Sequence, residues 1–539
     1  MADRFRIPPG YWRRFAAGAA FGIYTSHLIY YLNPQIEITS TKLTLVNLGY
    51  GLYCGLLFGT ILWGLRLVRR RFFPPEEFRP HGFGIMTFVT WFTAFVFWGH
   101  YLTLRIYLPV PAVRNLKRAT ITIGVVAFLL LVLWLFERTA SKRTSRLLFV
   151  VGCVFLLGAG FVLHQRRQAF LFPEREKVTV SIDQTPPAET IVVVALHSVA
   201  HDWLIELEPE RKLPFFHDRQ RDFFTRIEPF PTTSSRSIWA SLTTGKLPYR
   251  HGVAAHYSWM TPLNPPGKPY LLLPQGMAFG MWGLLPPVSR AVAPLPSGNA
   301  LPVWSIFERV GRRSHVLAWP GMPDGEARKV TGEDPAISPR YRILEEHAEP
   351  VRAAVATDLA LIDQAIETVR DDAPALLMLS LEGIAVFENH FDLDGNALPA
   401  PVSAEGQAVR AWLEEVGSAL ERLDTLMTDG LLIVVSPTAV SPHYAPDDIH
   451  SYVQSRLRPH AGDADGFILI KGAGTVPRRG TTAAAVTDLV PTLLFASGLP
   501  VARDMDGRVL SEGFEPDFVR RTQLLLVPSY DVRRLEVRR

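Results

Sequence analysis

Cysteine is nearly absent from this chain of 539 residues: Cys54 and Cys153 are the two it has, and both fall in apolar stretches. The hydrophilic remainder can therefore form no disulfide and no thiolate metal site, and cysteine usage leaves the compartment open. Acidic residues are scarce at the start, where residues 1–170 hold 20 Lys and Arg against 5 Asp and Glu; residues 171–539 hold 36 against 46. The large acidic portion lacks the basic face that displaces counterions from a nucleic acid, so DNA or RNA binding is excluded. No Asp or Glu lies inside a long apolar run, which argues against a proton- or ion-coupled transporter. No small-residue cleavage site follows the first apolar run and four more succeed it, so a cleavable signal peptide does not fit.

What the chain has is apolar length, with 48% hydrophobic residues overall. Five runs, at residues 15–32, 43–65, 83–104, 119–136 and 147–163, are long enough or nearly so to cross a hydrocarbon core of ~30 Å as helices. The last two are at the short end, leaving four crossings as the fallback count. Arginine clusters at the N-terminus (Arg4, Arg6, Arg13, Arg14), in the second loop (Arg66, Arg69, Arg70, Arg71, Arg79) and in the fourth (Arg138, Lys142, Arg143, Arg146) mark those segments as cytoplasmic. The third loop, with Arg105, Arg114, Lys117 and Arg118, runs against that bias. Five spans then place residues 171–539 outside the cytoplasm. Gly51, Gly55 and Gly59 share a helix face that admits close approach of another helix, within this bundle in preference to a dimer. His27 and His100 lie near span ends beside tyrosines, as interfacial neutral imidazoles would.

After a polar linker, strand-like runs alternate with helical patterns, as in an α/β fold with a doubly wound, mostly parallel sheet. The strands are expected at 191–196, 315–319, 376–381, 431–436 and 467–470. Domain boundaries follow: a membrane domain over 1–168, a linker over 169–189, an extracytoplasmic α/β domain over 190–515 and a C-terminal tail over 516–539. Chemistry in such a sheet sits in the loops after the strands.

Four ordered blocks carry a resemblance. Pro231 to Gly252 reads PTTSSRSIWASLTTGKLPYRHG and closes in Thr-Gly-x-x-Pro-x-x-His-Gly. Val303 to Gly311 and Ala318 to Gly321 follow, then Leu381-Glu382-Gly383, then Asp488-Leu-Val-Pro-Thr492 through Gly498-Leu-Pro500 and Asp504-Met-Asp-Gly507. Over residues 190–510 the chain resembles the alkaline phosphatase superfamily, in its type I phosphodiesterase/nucleotide pyrophosphatase, sulfatase-like branch. The resemblance implies an alkaline-phosphatase-like fold and two divalent cations, usually zinc, held by Asp and His around a Ser or Thr nucleophile.

The resemblance also fixes where those ligands would stand. A metal-binding Asp in a Gly-Leu-Asp-Gly turn is replaced by His197 in Ala195-Leu196-His197-Ser198. An Asp and a His fall on Ala385 and Asn389, with His390 one residue beyond. A Ser-Asp-His-Gly block is replaced by Ser436-Pro437-Thr438-Ala439, and a last His by Asp463, with His460 nearby. Alanine and proline side chains cannot bind a cation, and Asn is a poor zinc ligand. The nucleophile position falls on Ser235, which without cations and a base is a structural remnant in preference to a working nucleophile. Arg236 beside it is the best candidate for an anionic headgroup, since its planar fork can hold phosphate without metal; an ordinary surface arginine is the equal alternative. A relocated cation would draw on His197, His390 and His460, or Asp463, from a loop set that also includes His201, Asp202, His443, Asp447, Asp448 and His450.

The expectation is thus a multi-pass protein of a bacterial-type inner membrane with an inactive phosphodiesterase-like domain, a pseudoenzyme binding or regulating within the cell envelope. In architecture it resembles inner-membrane regulators of lipopolysaccharide synthesis. No cofactor is expected; zinc or manganese would be present if the domain is active. The partners would be membrane lipids, with an envelope lipid or another membrane protein as ligand, and a basic cluster at His164, Arg166 and Arg167 suits anionic headgroups. Two alternatives stand: an active metal-dependent phosphodiesterase, phosphatase/sulfatase or headgroup transferase with a reduced metal set, and a structural subunit of a membrane complex.

Overall fold

The computed structural model describes residues 9–32, 40–72, 82–104, 110–137, 139–168, 175–181, 186–208, 213–217, 222–228, 235–251, 253, 257–260, 289–292, 300–320, 349–391, 393, 397–427, 429–438, 465–480 and 482–538. The chain forms two units, one of Met1–Pro173 with Tyr257–Val292 and Asp447–Ile449, the other of Glu174–His256, Ala293–Pro446 and His450–Arg539.

The first unit opens with five helices, α1 (Pro9–Leu32), α2 (Ser40–Phe72), α3 (Gly82–Leu104), α4 (Val110–Glu137) and α5 (Lys142–Gln168), and each expected apolar run falls on one of them. Three stretches, Thr44–Val68, Val113–Glu137 and Arg143–Leu163, are long and apolar enough to cross a membrane; Phe83–Gly99 is a shorter apolar stretch. The glycine face of α2 packs within the bundle. A Cβ at Gly55 would lie 2.8 Å from the Phe15 ring and one at Gly59 3.0 Å from the Phe15 backbone. The seam is completed from α1, where a Cβ at Gly22 would lie 2.2 Å from the Tyr50 carbonyl. In the sequence only the α2 half of this contact stands out, as the spacing of Gly51, Gly55 and Gly59. Dispersion, rather than water exclusion, rewards such close approach between helices in lipid.

In the second unit the elements run β1 (Arg175–Ser181), β2 (Ile191–Leu196), α6 (His201–Leu207), α7 (Pro214–His217), β3 (Asp222–Ile227), α8 (Ser235–Thr244) and α9 (Pro248–His251). A short hairpin of the first unit, β4 (Tyr257–Met260) and β5 (Ser289–Val292), intervenes in sequence. Then come α10 (Val303–Arg309), β6 (Ser314–Leu317), α11 (Glu349–Asp372), β7 (Leu376–Leu381), α12 (Gly383–Phe391), α13 (Ala404–Thr425), β8 (Leu431–Ser436), β9 (Gly466–Gly472) and β10 (Arg478–Arg479). The unit closes with α14 (Leu489–Ala496), β11 (Val501–Ala502), α15 (Pro516–Thr522), β12 (Leu526–Val527) and β13 (Val532–Arg538).

Seven strands form one sheet in the order β10-β3-β9-β8-β2-β7-β6. The sheet is mixed. Strands β8, β2, β7 and β6 are parallel, as expected, but β9 runs antiparallel to both β8 and β3. Both faces are covered. Val193 and Ala195 of β2 enter one core with α8, α10 and α14, whereas Val192, Val194 and Leu196 enter the other with α6, α11 and α13. A strand buried on both sides reads as an unbroken apolar run, which is why β2, β7 and β8 stand where the sequence put them. The segments read as linker and tail are structured: β1 and β13 pair in parallel, Lys177 opposite Arg534 and Val180 opposite Val537. Their alternating pattern is that of a ribbon with one apolar face, which a search for continuous apolar runs passes over.

Candidate functional site

Because β8, β2, β7 and β6 are parallel, their C-terminal ends share one edge, and the antiparallel β9 brings its beginning there, with Phe467 opposite Ser436. Two turns at this edge hold non-glycine residues at positive φ, Ser198 after β2 (62°) and Ala318 after β6 (50°). Such backbone costs energy that the surrounding contacts must offset, and it concentrates at functional edges.

His197 follows β2 and is buried, with its ring stacked on Trp239 of α8 at 4.2 Å between centroids. Its Nε2 lies 2.9 Å from Ser380 Oγ of β7, and its backbone N–H donates to the Leu381 carbonyl at 3.0 Å. Burial lowers the imidazole pKa to about 3, so the ring is neutral. Behind it Trp239 meets Trp319 edge-on, and Trp319 donates its indole N–H to Thr243 Oγ1 at 3.1 Å. Next door Ser198 Oγ donates to Glu388 Oε2 of α12 at 2.9 Å. After β8, Ser436 Oγ accepts the Val199 N–H at 3.2 Å and donates to the Thr438 carbonyl at 3.1 Å.

The remaining candidates take these places. Ala385 is half-buried on the first turn of α12, with Asn389 one turn further along; His390 is exposed on the same helix, edge-on to Phe391. Pro437 and Thr438 are buried directly after β8. Ser235 and Arg236 begin α8, half-buried, with Ser235 one turn before Trp239. His201 pairs with Asp202 at 2.9 Å and stacks on Phe224. Ser234, His443, Asp447, Asp448, His450, His460 and Asp463 lie outside the described residues.

A divalent cation needs several hard or imidazole donors at one point. Among the described residues no three His, Cys, Asp or Glu side chains are so grouped. The positions that the resemblance assigns to ligands hold, among the described residues, an alanine, a proline, a threonine and an imidazole already stacked and hydrogen-bonded, with the Glu388 carboxylate nearby accepting from Ser198. The described residues therefore do not fit a two-cation centre.

The far end of α8 contrasts with this. His251 Nδ1 accepts the Val253 N–H at 3.1 Å, so Nε2 carries the proton and donates to Ser241 Oγ at 2.9 Å. Both residues are fully buried, and burial lowers the His251 pKa to about 3. The pair is a structural clamp and not a catalytic dyad, since its serine accepts a hydrogen bond and gives no proton to the ring. Lys246, also buried, bridges Asp504 at 2.7 Å and Asp531 at 2.5 Å. Ser529 Oγ donates to Asp504 and the Leu301 N–H to Asp531. Arg250 pairs with Asp506 at 3.1 Å, and Asp506 also accepts the Leu247 N–H.

Sequence reasoning missed one further carboxylate. Asp358, buried on α11, accepts the Glu382 and Gly383 N–H groups at 3.0 and 2.9 Å and the Trp412 indole N–H at 2.8 Å. It thereby caps α12 at its first turn. Burial raises its pKa to about 7 against the opposing pull of these three donors. On a helical pattern it looks like an ordinary solvated acid; only its apolar neighbours in the fold distinguish it.

The sheet order, the covered faces and the loop edge define an alkaline-phosphatase-like α/β domain. Residues 192–452 match the model of the type I phosphodiesterase/nucleotide pyrophosphatase family. Murine ectonucleotide pyrophosphatase/phosphodiesterase 5 bound to AMP is similar at 15% identity and a TM-score of 0.37, over 60% of this chain and 100% of that one. A multiply substituted alkaline phosphatase PafA is similar at 10% identity and a TM-score of 0.39, over 62% and 100%. Phosphonoacetate hydrolase from Sinorhizobium meliloti bound to phosphonoformate shares 14% identity at a TM-score of 0.30, over 49% of this chain and 60% of that one. No curated protein matches the chain.

Proposed function

We propose that this chain is a membrane-anchored phosphodiesterase-like protein whose domain has lost its two-metal site and serves as a binding or regulatory module of the cell envelope. One observation supports this reading: Ala385, Pro437 and Thr438, at positions the sequence resemblance assigns to metal ligands, stand at the loop edge while His197 is packed between Trp239 and Ser380. A cation placed there would find too few donors to replace its water. The anchor consists of the apolar helices, read as five spans of a bacterial-type inner membrane, with the α/β domain outside the cytoplasm on the arginine bias. With Ser235 unassisted by cations, Arg236 at the start of α8 is the group to engage an anionic headgroup of an envelope lipid or of a partner protein.

The test is metal content by inductively coupled plasma mass spectrometry on the full chain, purified in detergent and washed with a weak chelator. Metal far below one equivalent is expected. So is an absence of bis(p-nitrophenyl) phosphate hydrolysis above the Ser235→Ala background when zinc or manganese is added. One or two tightly held equivalents, with Ser235-dependent turnover, would overturn the proposal in favour of a metal-dependent hydrolase.

A further inference from the structure

We infer that the outer face of the β1–β13 ribbon is a docking surface for an anionic lipid bilayer; this rests on the membrane-anchor reading above. Three observations lead there. The ribbon is two-faced: Val178 and Val180 of β1 are buried, and Leu535 and Val537, at the register positions opposite them, pack against the same core. By register, Lys177 stands opposite Arg534, Thr179 opposite Glu536 and Ser181 opposite Arg538, with Arg175 opposite the buried Val532. Lys177 is exposed and makes an ion pair with Glu536 at 2.6 Å, and the sequences of the two strands together carry five Lys and Arg against two Glu.

The second observation is the charge contrast. Residues 164–181 and 530–539 together carry eight Lys and Arg against four Asp and Glu, within a portion of chain that is otherwise acidic. One of those four acids, Asp531, is already bound by Lys246. The third is the tether. α5 contains a stretch able to cross a membrane and ends at Gln168, and β1 begins at Arg175. Seven residue steps reach at most about 25 Å even when fully extended. The ribbon thus cannot leave the neighbourhood of a membrane surface into which α5 is inserted. Cations held there are attracted by anionic headgroups and lose that attraction beyond about one Debye length. An acidic protein partner would also suit the charge, but nothing tethers one to this place, whereas the bilayer is fixed there by α5.

The experiment is hydrogen–deuterium exchange on the full chain in nanodiscs of phosphatidylcholine alone or with phosphatidylglycerol at about 30%, where the anionic fraction sets the surface potential. Co-elution with nanodisc lipid is checked first, and a chain that does not incorporate defeats the anchor reading itself. For an incorporated chain, amides of β1 and β13 are expected to exchange about threefold more slowly in the anionic disc, an effect removed by high salt. It should also vanish in the combined variant Arg175→Gln, Lys177→Gln, Arg534→Gln and Arg538→Gln. That variant is first required to match the parent's exchange in the neutral disc, and the milder pair Lys177→Gln with Arg534→Gln replaces it if it does not. Equal exchange in both discs for an incorporated chain, or slowing that high salt leaves intact, overturns the inference and leaves the anchor standing.

Discussion

The two ends of helix α8 were built by different demands. At its end near Gly245 the described cations are answered, Lys246 by Asp504 and Asp531 and Arg250 by Asp506, and the neutral His251 is bonded to Ser241. At its beginning, where Ser235 stands, Trp239 stacks on His197, which closes the loop edge together with Ala385 and Pro437. Polar groups at the first end hold distant segments of the chain together, whereas those described at the second end are packed against aromatic and apolar neighbours.

The comparison breaks most severely at Lys246. Lys246→Met leaves two partly buried carboxylates without their cation and should cost about 3 kcal/mol, read as a drop in urea or thermal midpoint in detergent. Adding Asp504→Asn and Asp531→Asn should recover part of the loss; a Lys246 variant as stable as the parent would mean that the network is idle. Gly245 comes next. Its φ is +68°, and a Cβ there would lie 3.0 Å from the Val490 Cβ. Gly245→Ala should cost about 2 kcal/mol, whereas the mid-helix Gly158→Ala, with nothing within 4 Å of its Cβ, should leave the midpoint unchanged.

Two pH profiles sharpen the contrast. Asp358 is raised to about 7, so the folded state holds a proton that the unfolded chain has released. Its contribution is therefore full at acid pH and shrinks as pH rises, by about 2 kcal/mol between about pH 4 and about pH 6. The parent-minus-variant difference for Asp358→Asn should show that slope, and a flat difference would refute it. His197 slopes the other way. Its folded pKa of about 3 lies below the unfolded value, so its contribution is full above about pH 6.5 and is lost as pH falls, by about 1.4 kcal/mol at about pH 5.5. His197→Gln should remove that share of the acid sensitivity and leave the equal share of His251.

The sequence placed the central strands because each is buried on both faces. Two other strands escaped it: β13 in VRRLEVR alternates, and β3 in DFFTRI, although mostly buried, is interrupted by charged and polar residues, so they do not stand out from helical or loop segments. The direction of β9 was not legible either, since pairing sense depends on the path of residues 437–465 and leaves no mark on the apolar run itself. At the candidate site, the sequence shows which residue types follow each strand, His197 after β2 and Pro437 after β8. The stack of His197 on Trp239 was not legible, because it joins residues of two elements brought together only by the sheet, and Asp358 gave no signal for the same reason.

The parallel pairing of β1 with β13 also bears on how the molecule is made. β1 leaves the ribosome early, directly behind α5, yet its partner is translated only some 350 residues later. Throughout that interval a strand with two open edges waits at the mouth of the growing domain, and open edges recruit other strands. Synthesis of this protein therefore includes a long vulnerable period that ends only once β13 has been translated, and ribosomes stalled within α15 would yield chains with every helix of the bundle formed and the β1–β13 ribbon still unpaired.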